Sequence, residues 1–131
     1  MGFYKTHEVP LQDCLNAGPI NLGFIQISTL DDALGLLWGS PATYPAGGTR
    51  SELDRDRFLL ARQTVTGICN VRLFGTQPTP STLLSDAVTA LAGQNCTQMT
   101  TLEGQVDAFN NSGDAVPFPP GFVPGPSTPQ D

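Results

Sequence analysis

The longest periodic run of the chain lies between Ser51 and Gly75, SELDRDRFLLARQTVTGICNVRLFG. Phe58, Ala61, Val65, Ile68 and Cys69 recur at three- and four-residue steps, which places them on one helical face. Leu60, Val71 and Phe74 widen that face until the helix is apolar on more than one side. The spacing therefore predicts a central helix from about Ser51 to Phe74, opened by Ser51 with Asp54 as a capping pair. The alternating charges Asp54, Arg55, Asp56 and Arg57 in its first turns read as a solvated face with modest ion pairing.

Three shorter patterns surround it. Leu30, Ala33, Leu34 and Leu37 define a helix that ends near Trp38, capped by Ser28 with Asp31 or by Thr29 with Asp32 and stopped by Gly39 and Pro41. Leu83, Leu84, Ala87, Val88 and Leu91 define another, with Thr79 as its cap and Pro80 at the first helical position, where a missing N–H costs nothing. Met99, Leu102, Val106 and Phe109 define the last, opened by Asn95 with Gln98 and closed by Asn110, Asn111, Ser112 and Gly113. Residues 40–49 are a loop rich in turn residues. The stretch 20–27, INLGFIQI, is a short extended segment with no second strand to pair it, so a sheet is not expected. Gly2 to Pro19, punctuated by Pro10, Gly18 and Pro19, reads as an ordered but irregular lead-in. The expected fold is all-α: a small single-domain bundle of about four helices.

Composition adds a tail and a compartment. Residues 117–131 contain six prolines and no periodicity, so they read as an extended Pro-rich linker, with the helical domain in 1–116 and Phe118 and Phe122 available to pin the start of the tail. A chain of 131 residues is one domain's worth. Only 14% of residues are charged, against 14 glycines and 12 prolines, so much of the polar surface is Ser, Thr, Asn, Gln and backbone, a balance commoner outside the cell. The net charge of −6 with scattered Lys and Arg argues against nucleic acid and anionic membranes, both of which need clustered basic residues. No apolar run is long enough to span a bilayer, and no signal peptide is evident, so Met1 reads as an initiator placed before an excised domain.

Cys14, Cys69 and Cys96 allow at most one internal disulfide. The pair Cys69–Cys96 is expected, because each lies on or beside the apolar stripe of a helix that should pack on the other; three buried thiols are the alternative. With His7 the cysteines match the stoichiometry of a Cys3His zinc site, but the short ligand spacings are absent, so no metal or other cofactor is expected. Asn95-Cys96-Thr97 and Asn110-Asn111-Ser112 make Asn95 and Asn110 glycosylation candidates.

The opening GFYKTH, residues 2–7, resembles the G-(Y/F)-(W/Y)-K-x-H-P start of a module found in many secreted, multidomain microbial surface proteins. RFLLARQTVTGICN, residues 57–70, is similar to that module's LA-x-Q-hydrophobic-x-A-A-K-L-N helix, and FNNSGD, residues 109–114, to the end of its last helix. Glu8 replaces the usual proline, and Gly67 and Cys69 replace alanine and leucine of the helix signature. The resemblance implies a helical module in an exported parent beside β-sandwich or adhesive domains, with no catalytic activity. GFYKTH is the element it carries over.

No GxSxG or cysteine–histidine signature supports a hydrolytic triad around His7, the single histidine, so no enzyme is expected. The expectation is a non-catalytic, structural, assembly or adhesive module at the cell surface. Its partners would be other domains of the parent, neighbouring subunits or an extracellular polymer. Tyr4, Lys5 and His7 are its candidate binding residues, although two adjacent aromatics more readily fix the chain entry by docking in the core. A Lys5 amide crosslink to an Asp or Asn is the reactive variant of that cluster. The competing reading is a metal- or ligand-binding domain, catalytic or not, centred on His7 and nearby carboxylates.

Overall fold

Ser51 opens the central helix as its spacing predicts, its hydroxyl accepting the Asp54 N–H at 3.1 Å, and Gly75, at φ 67°, closes it with an N–H bond to Val71 O. The computed structural model describes residues 2–112, which are mostly helical. The elements are α1 (Gly2–Thr6), α2 (Glu8–Asn16), β1 (Ile20–Asn21), β2 (Gln26–Ile27), α3 (Leu30–Trp38), α4 (Glu52–Phe74), α5 (Leu83–Leu91) and α6 (Cys96–Ser112). Helix α4 packs against α2, α3, α5 and α6, and from Leu60 to Cys69 it buries residues all round: Leu60, Ala61, Gln63, Thr64, Val65, Thr66, Gly67 and Cys69. That is the burial expected of a helix with apolar side chains on more than one face.

Helices α4, α5 and α6 run up, down and up. Arg57, near the start of α4, donates to Gly93 O just beyond the end of α5, whereas Gln63 and Asn70 bond to Asp107 and Asn110 in the later turns of α6. The three helices close together at Gly67. A Cβ there would lie 2.7 Å from Leu84 Cδ2 and 3.2 Å from Asn110 Oδ1. Gly67→Ala is therefore expected to destabilise by about 1–3 kcal/mol through overpacking, outweighing the ~1 kcal/mol that alanine gains in helix propensity. Denaturant unfolding checks the sign: a gain in stability would mean that Leu84 moves aside without cost.

The opening of the chain is helical rather than irregular. Pro10 is the third residue of α2, within the first turn, where its missing N–H is not needed, so it starts a helix instead of breaking one. Leu11, Cys14 and Leu15 then face the core. Cys14, buried on α2, is joined to Cys69 on α4, with Cα atoms 5.4 Å apart. The expected Cys69–Cys96 pair is thus corrected. Helix α6 runs parallel to α4 and places Cys96 near Asp56, and the 13 residues from there to Cys69 amount to roughly 20 Å of helix.

Two further expectations change. The stretch 20–27 folds back on itself as a two-strand antiparallel hairpin pairing Ile20 with Ile27 and Asn21 with Gln26, so the missing partner strand lay within the segment. Asn21 Oδ1 accepts the Gly23 N–H at 2.8 Å, and Gly23, at φ 85°, makes the reversal. Helix α5 begins at Leu83, not Pro80, because a turn closed by Leu83 N–H to Pro80 O occupies residues 80–83. The four expected helices are present, and α1 and α2 raise the number to six among the described residues. At the start of α3 the capping box is the Thr29–Asp32 alternative. Backbone hydrogen bonds from Ser28 and Thr29, with help from the Thr29 hydroxyl, hold the Asp32 carboxyl below the usual carboxylate range. No described helix is long and apolar enough to cross a membrane. The expected domain boundary at 116 and the Pro-rich tail, including Phe118 and Phe122, lie outside the described residues.

Candidate functional site

Three groups of side chains carry chemistry, beginning with the GFYKTH opening. Tyr4 is 1% exposed and donates its hydroxyl to Asn70 Oδ1 at 2.9 Å, and burial pushes its phenol pKa well above the ordinary value. Phe3 meets Tyr4 edge to face at 4.9 Å between centroids and stacks on His7 at 4.2 Å. His7 Nδ1 lies 2.6 Å from Phe3 O, an acceptor only, so Nδ1 carries the proton, with Thr6 Oγ1 at 2.9 Å on the same nitrogen. His7 Nε2 is buried without a hydrogen-bond partner.

Lys5 points elsewhere. Its ammonium sits 4.2 Å from the centroid of the Trp38 ring, and Trp38 Nε1 donates to Lys5 O at 3.1 Å. Tyr4, Lys5 and His7 are therefore close in sequence but do not converge: one enters the core, one lies over the Trp38 ring and one leans on Phe3. The only ion pair among the described residues is Arg55–Asp56, so Lys5 has no carboxylate of that set poised for an amide crosslink. The Cys3His set is not assembled either, since Cys14 and Cys69 are joined to each other.

The second group joins the start of α4 to the start of α6. Ligand atoms of Glu52, Asp56 and Cys96 lie within 4.8 Å of one another. Sequence reasoning missed this trio, because Asp56 belongs to a charge run that reads as solvated. Asp56 is in fact buried at 7% exposure, and it accepts from Arg55 Nε at 3.3 Å. Cys96 is raised above the ordinary thiol range, chiefly by desolvation and then by its hydrogen bond to Asp56 and the negative charges of Asp56 and Glu52. It is therefore a neutral thiol donor rather than a poised nucleophile.

The third group lines an open cleft of about 290 Å³ between the hairpin, α3 and α4. Its apolar walls are Phe24, Ile25 and Ile27, Leu36 and Phe58, with Phe24 45% and Ile25 51% exposed. Gly35, Arg50, Asp54, Arg57 and Asp32 complete the lining. Arg50 Cζ stands 4.6 Å from the Phe58 ring centroid and 5.1 Å from that of Tyr44, and Arg57 Cζ 5.9 Å from that of Phe24. The residues come from three separate segments, and the sequence reading singled out no cleft there, because it took 20–27 only as a short extended segment.

The two sequons differ. Asn95 is exposed, but its side-chain oxygen caps α6 by accepting the Gln98 N–H at 2.9 Å. Asn110 is buried rather than a helix-closing polar residue, donating to Gln63 O at 3.0 Å and Gln63 Oε1 at 2.9 Å while accepting from Asn70 Nδ2 at 3.2 Å. The folded structure removes Asn110 as a glycosylation candidate, because a glycan on its nitrogen would have to sit between α4 and α6. No protein-family model matches the sequence, and no curated protein or solved structure matches it either.

Proposed function

We propose that this chain is a non-catalytic module of an exported protein, holding or assembling its neighbours at the cell surface. The observation that carries the reading is the Cys14–Cys69 disulfide, whose cysteines are both fully buried. A buried structural disulfide persists in an oxidising compartment and is rare where thiols are kept reduced. The resemblance of GFYKTH and of residues 57–70 to a module of secreted surface proteins supports the same reading. So does the way Tyr4, Lys5 and His7 are each committed to internal contacts, which is how a structural signature behaves. A metal- or ligand-binding role centred on His7 has less support: its Nδ1 is engaged with Phe3 O, and the metal-ligand trio among the described residues does not include it.

Rapid alkylation of the producing cells before lysis, followed by peptide mapping, tests the compartment. The expected outcome is Cys14 and Cys69 protected as one linked peptide, Cys96 recovered as a free thiol once the protein is unfolded, and the protein removable from intact cells by added protease. Cys14 and Cys69 both alkylated, in protein that protease cannot reach, would sink the proposal.

A further inference from the structure

The cleft between the hairpin, α3 and α4 leaves hydrogen-bonding capacity on its two arginines unspent. Asp32 Oδ2 already accepts from Ser28 N and Thr29 N, and Asp54 Oδ2 accepts the Tyr44 hydroxyl at 2.6 Å. Each arginine, by contrast, has spent one N–H, Arg50 from Nε to Ser40 O and Arg57 from Nη2 to Gly93 O. Neither forms an ion pair among the described residues, although the chain carries 12 acidic side chains against 6 basic ones. Asp32 and Asp54 line the same cleft, yet neither stands within ion-pair distance of an arginine, so the unspent guanidinium donors mark the place where a further anion can be taken.

Their positions are also fixed in advance. Contacts with the Phe58 and Tyr44 rings and the bond to Ser40 O hold the Arg50 guanidinium, and Arg57 is tied between Phe24 and the end of α5. A guanidinium held this way loses little further freedom when its remaining donors take a carboxylate. The apolar walls set the rest of the ligand. A volume of about 290 Å³ lies at the lower edge of small-molecule sites, enough for one ring or branched chain and too small for a polymer segment.

We propose that this cleft binds a small carboxylic acid with an aromatic or branched apolar body, the carboxylate taken by Arg50 and Arg57 and the body by Phe24, Ile25 and Phe58. This goes beyond the surface-module reading and does not rest on it, because the cleft binds or fails to bind whatever the compartment. The probe is 3-phenylpropionate, titrated into the full chain and followed by amide and arginine side-chain NMR shifts, with 3-phenylpropionamide as the neutral match. Shifts are expected at Phe24, Gly35, Leu36 and Phe58, with a dissociation constant on the order of 1 mM, the range for about a dozen non-hydrogen atoms. The amide is expected to bind roughly tenfold more weakly, since it offers one neutral carbonyl acceptor where the carboxylate offers a charge and two oxygens for paired guanidinium donors.

Arg50→Gln and Arg57→Gln should each weaken the acid several-fold more than the amide, narrowing the gap between the two ligands. Phe24→Ser, at an exposed position, should weaken both ligands by the same factor. A thermal melt of each variant identifies folded protein, and two independent arginine positions keep the test intact if Arg57→Gln loosens the contact with Gly93. Equal binding of acid and amide would show an apolar contact surface instead, and would overturn the proposal. Shifts clustered elsewhere, or none at tens of millimolar acid, would overturn it too.

Discussion

Replacing Cys14 and Cys69 together by alanine is expected to lower the unfolding free energy by about 4 kcal/mol. The cross-link spans 55 residues, and the loop-closure entropy it removes from the unfolded ensemble is about 4 kcal/mol at that length. Against a total of roughly 5–15 kcal/mol for a domain, about a quarter or more of the stability would be lost. The native contacts that remain are substantial. Leu11 and Leu15 stay in the core, and the Arg72 guanidinium clamps the end of α2 by donating to Cys14 O, Gly18 O and Pro19 O. The double variant should therefore keep its helical circular dichroism at low temperature and melt lower by on the order of 15 °C. Reductant should shift the parent in the same direction and leave the double variant unmoved. Cys96→Ser, which removes no cross-link, should change the melt little. A parent insensitive to reductant, or a non-reducing map that links Cys96, would count against the pairing.

The same disulfide shows why some of this fold was legible in the sequence and some was not. Helices α3, α4 and α6 announce themselves through local signals: an apolar stripe together with caps at Thr29, Ser51 and Asn95, whose hydrogen bonds reach only three residues along the chain. Helix α2 has the same kind of stripe in Leu11, Cys14 and Leu15, but Pro10 hides it, since a proline in the first turn and a proline that breaks a helix look alike in sequence. With α2 unseen, Cys14 had no face, and the pairing went to the two cysteines that did. The buried polar residues fail for a different reason. Gln63, Asn70 and Asn110 satisfy one another across α4 and α6, and nothing within either helix distinguishes them from solvated polar positions. Asp56 is misread on the same ground. The cleft is less legible still, because Phe24, Arg50 and Arg57 meet only after the hairpin has folded back beside α4.

Tyr4 stands where the N-terminal segment meets that polar network, and Tyr4→Ala is expected to cost about 3–5 kcal/mol, the range for removing a large buried ring. The ring is 1% exposed and packs edge to face with Phe3, so its deletion leaves a cavity beside the start of the chain rather than a surface dent. Its hydroxyl donates to Asn70 Oδ1, Asn70 Nδ2 donates to Asn110 Oδ1, Asn110 Nδ2 donates to Gln63, and Gln63 Nε2 donates to Asp107 Oδ1. That series connects α1 to α6 through α4. Removing the hydroxyl alone, in Tyr4→Phe, leaves the first acceptor, on half-buried Asn70, unpaired and should cost about 1–2 kcal/mol. His7→Gln should cost less than either, because His7 is only half-buried and glutamine keeps a donor that can reach Phe3 O. Urea unfolding of the three variants should therefore rank their midpoints with Tyr4→Ala lowest, then Tyr4→Phe, then His7→Gln. A Tyr4→Ala protein with the parent's midpoint would mean that the opening segment contributes nothing to the fold. If His7→Gln then proved the variant that lost a bound metal or ligand, GFYKTH would be a binding element after all.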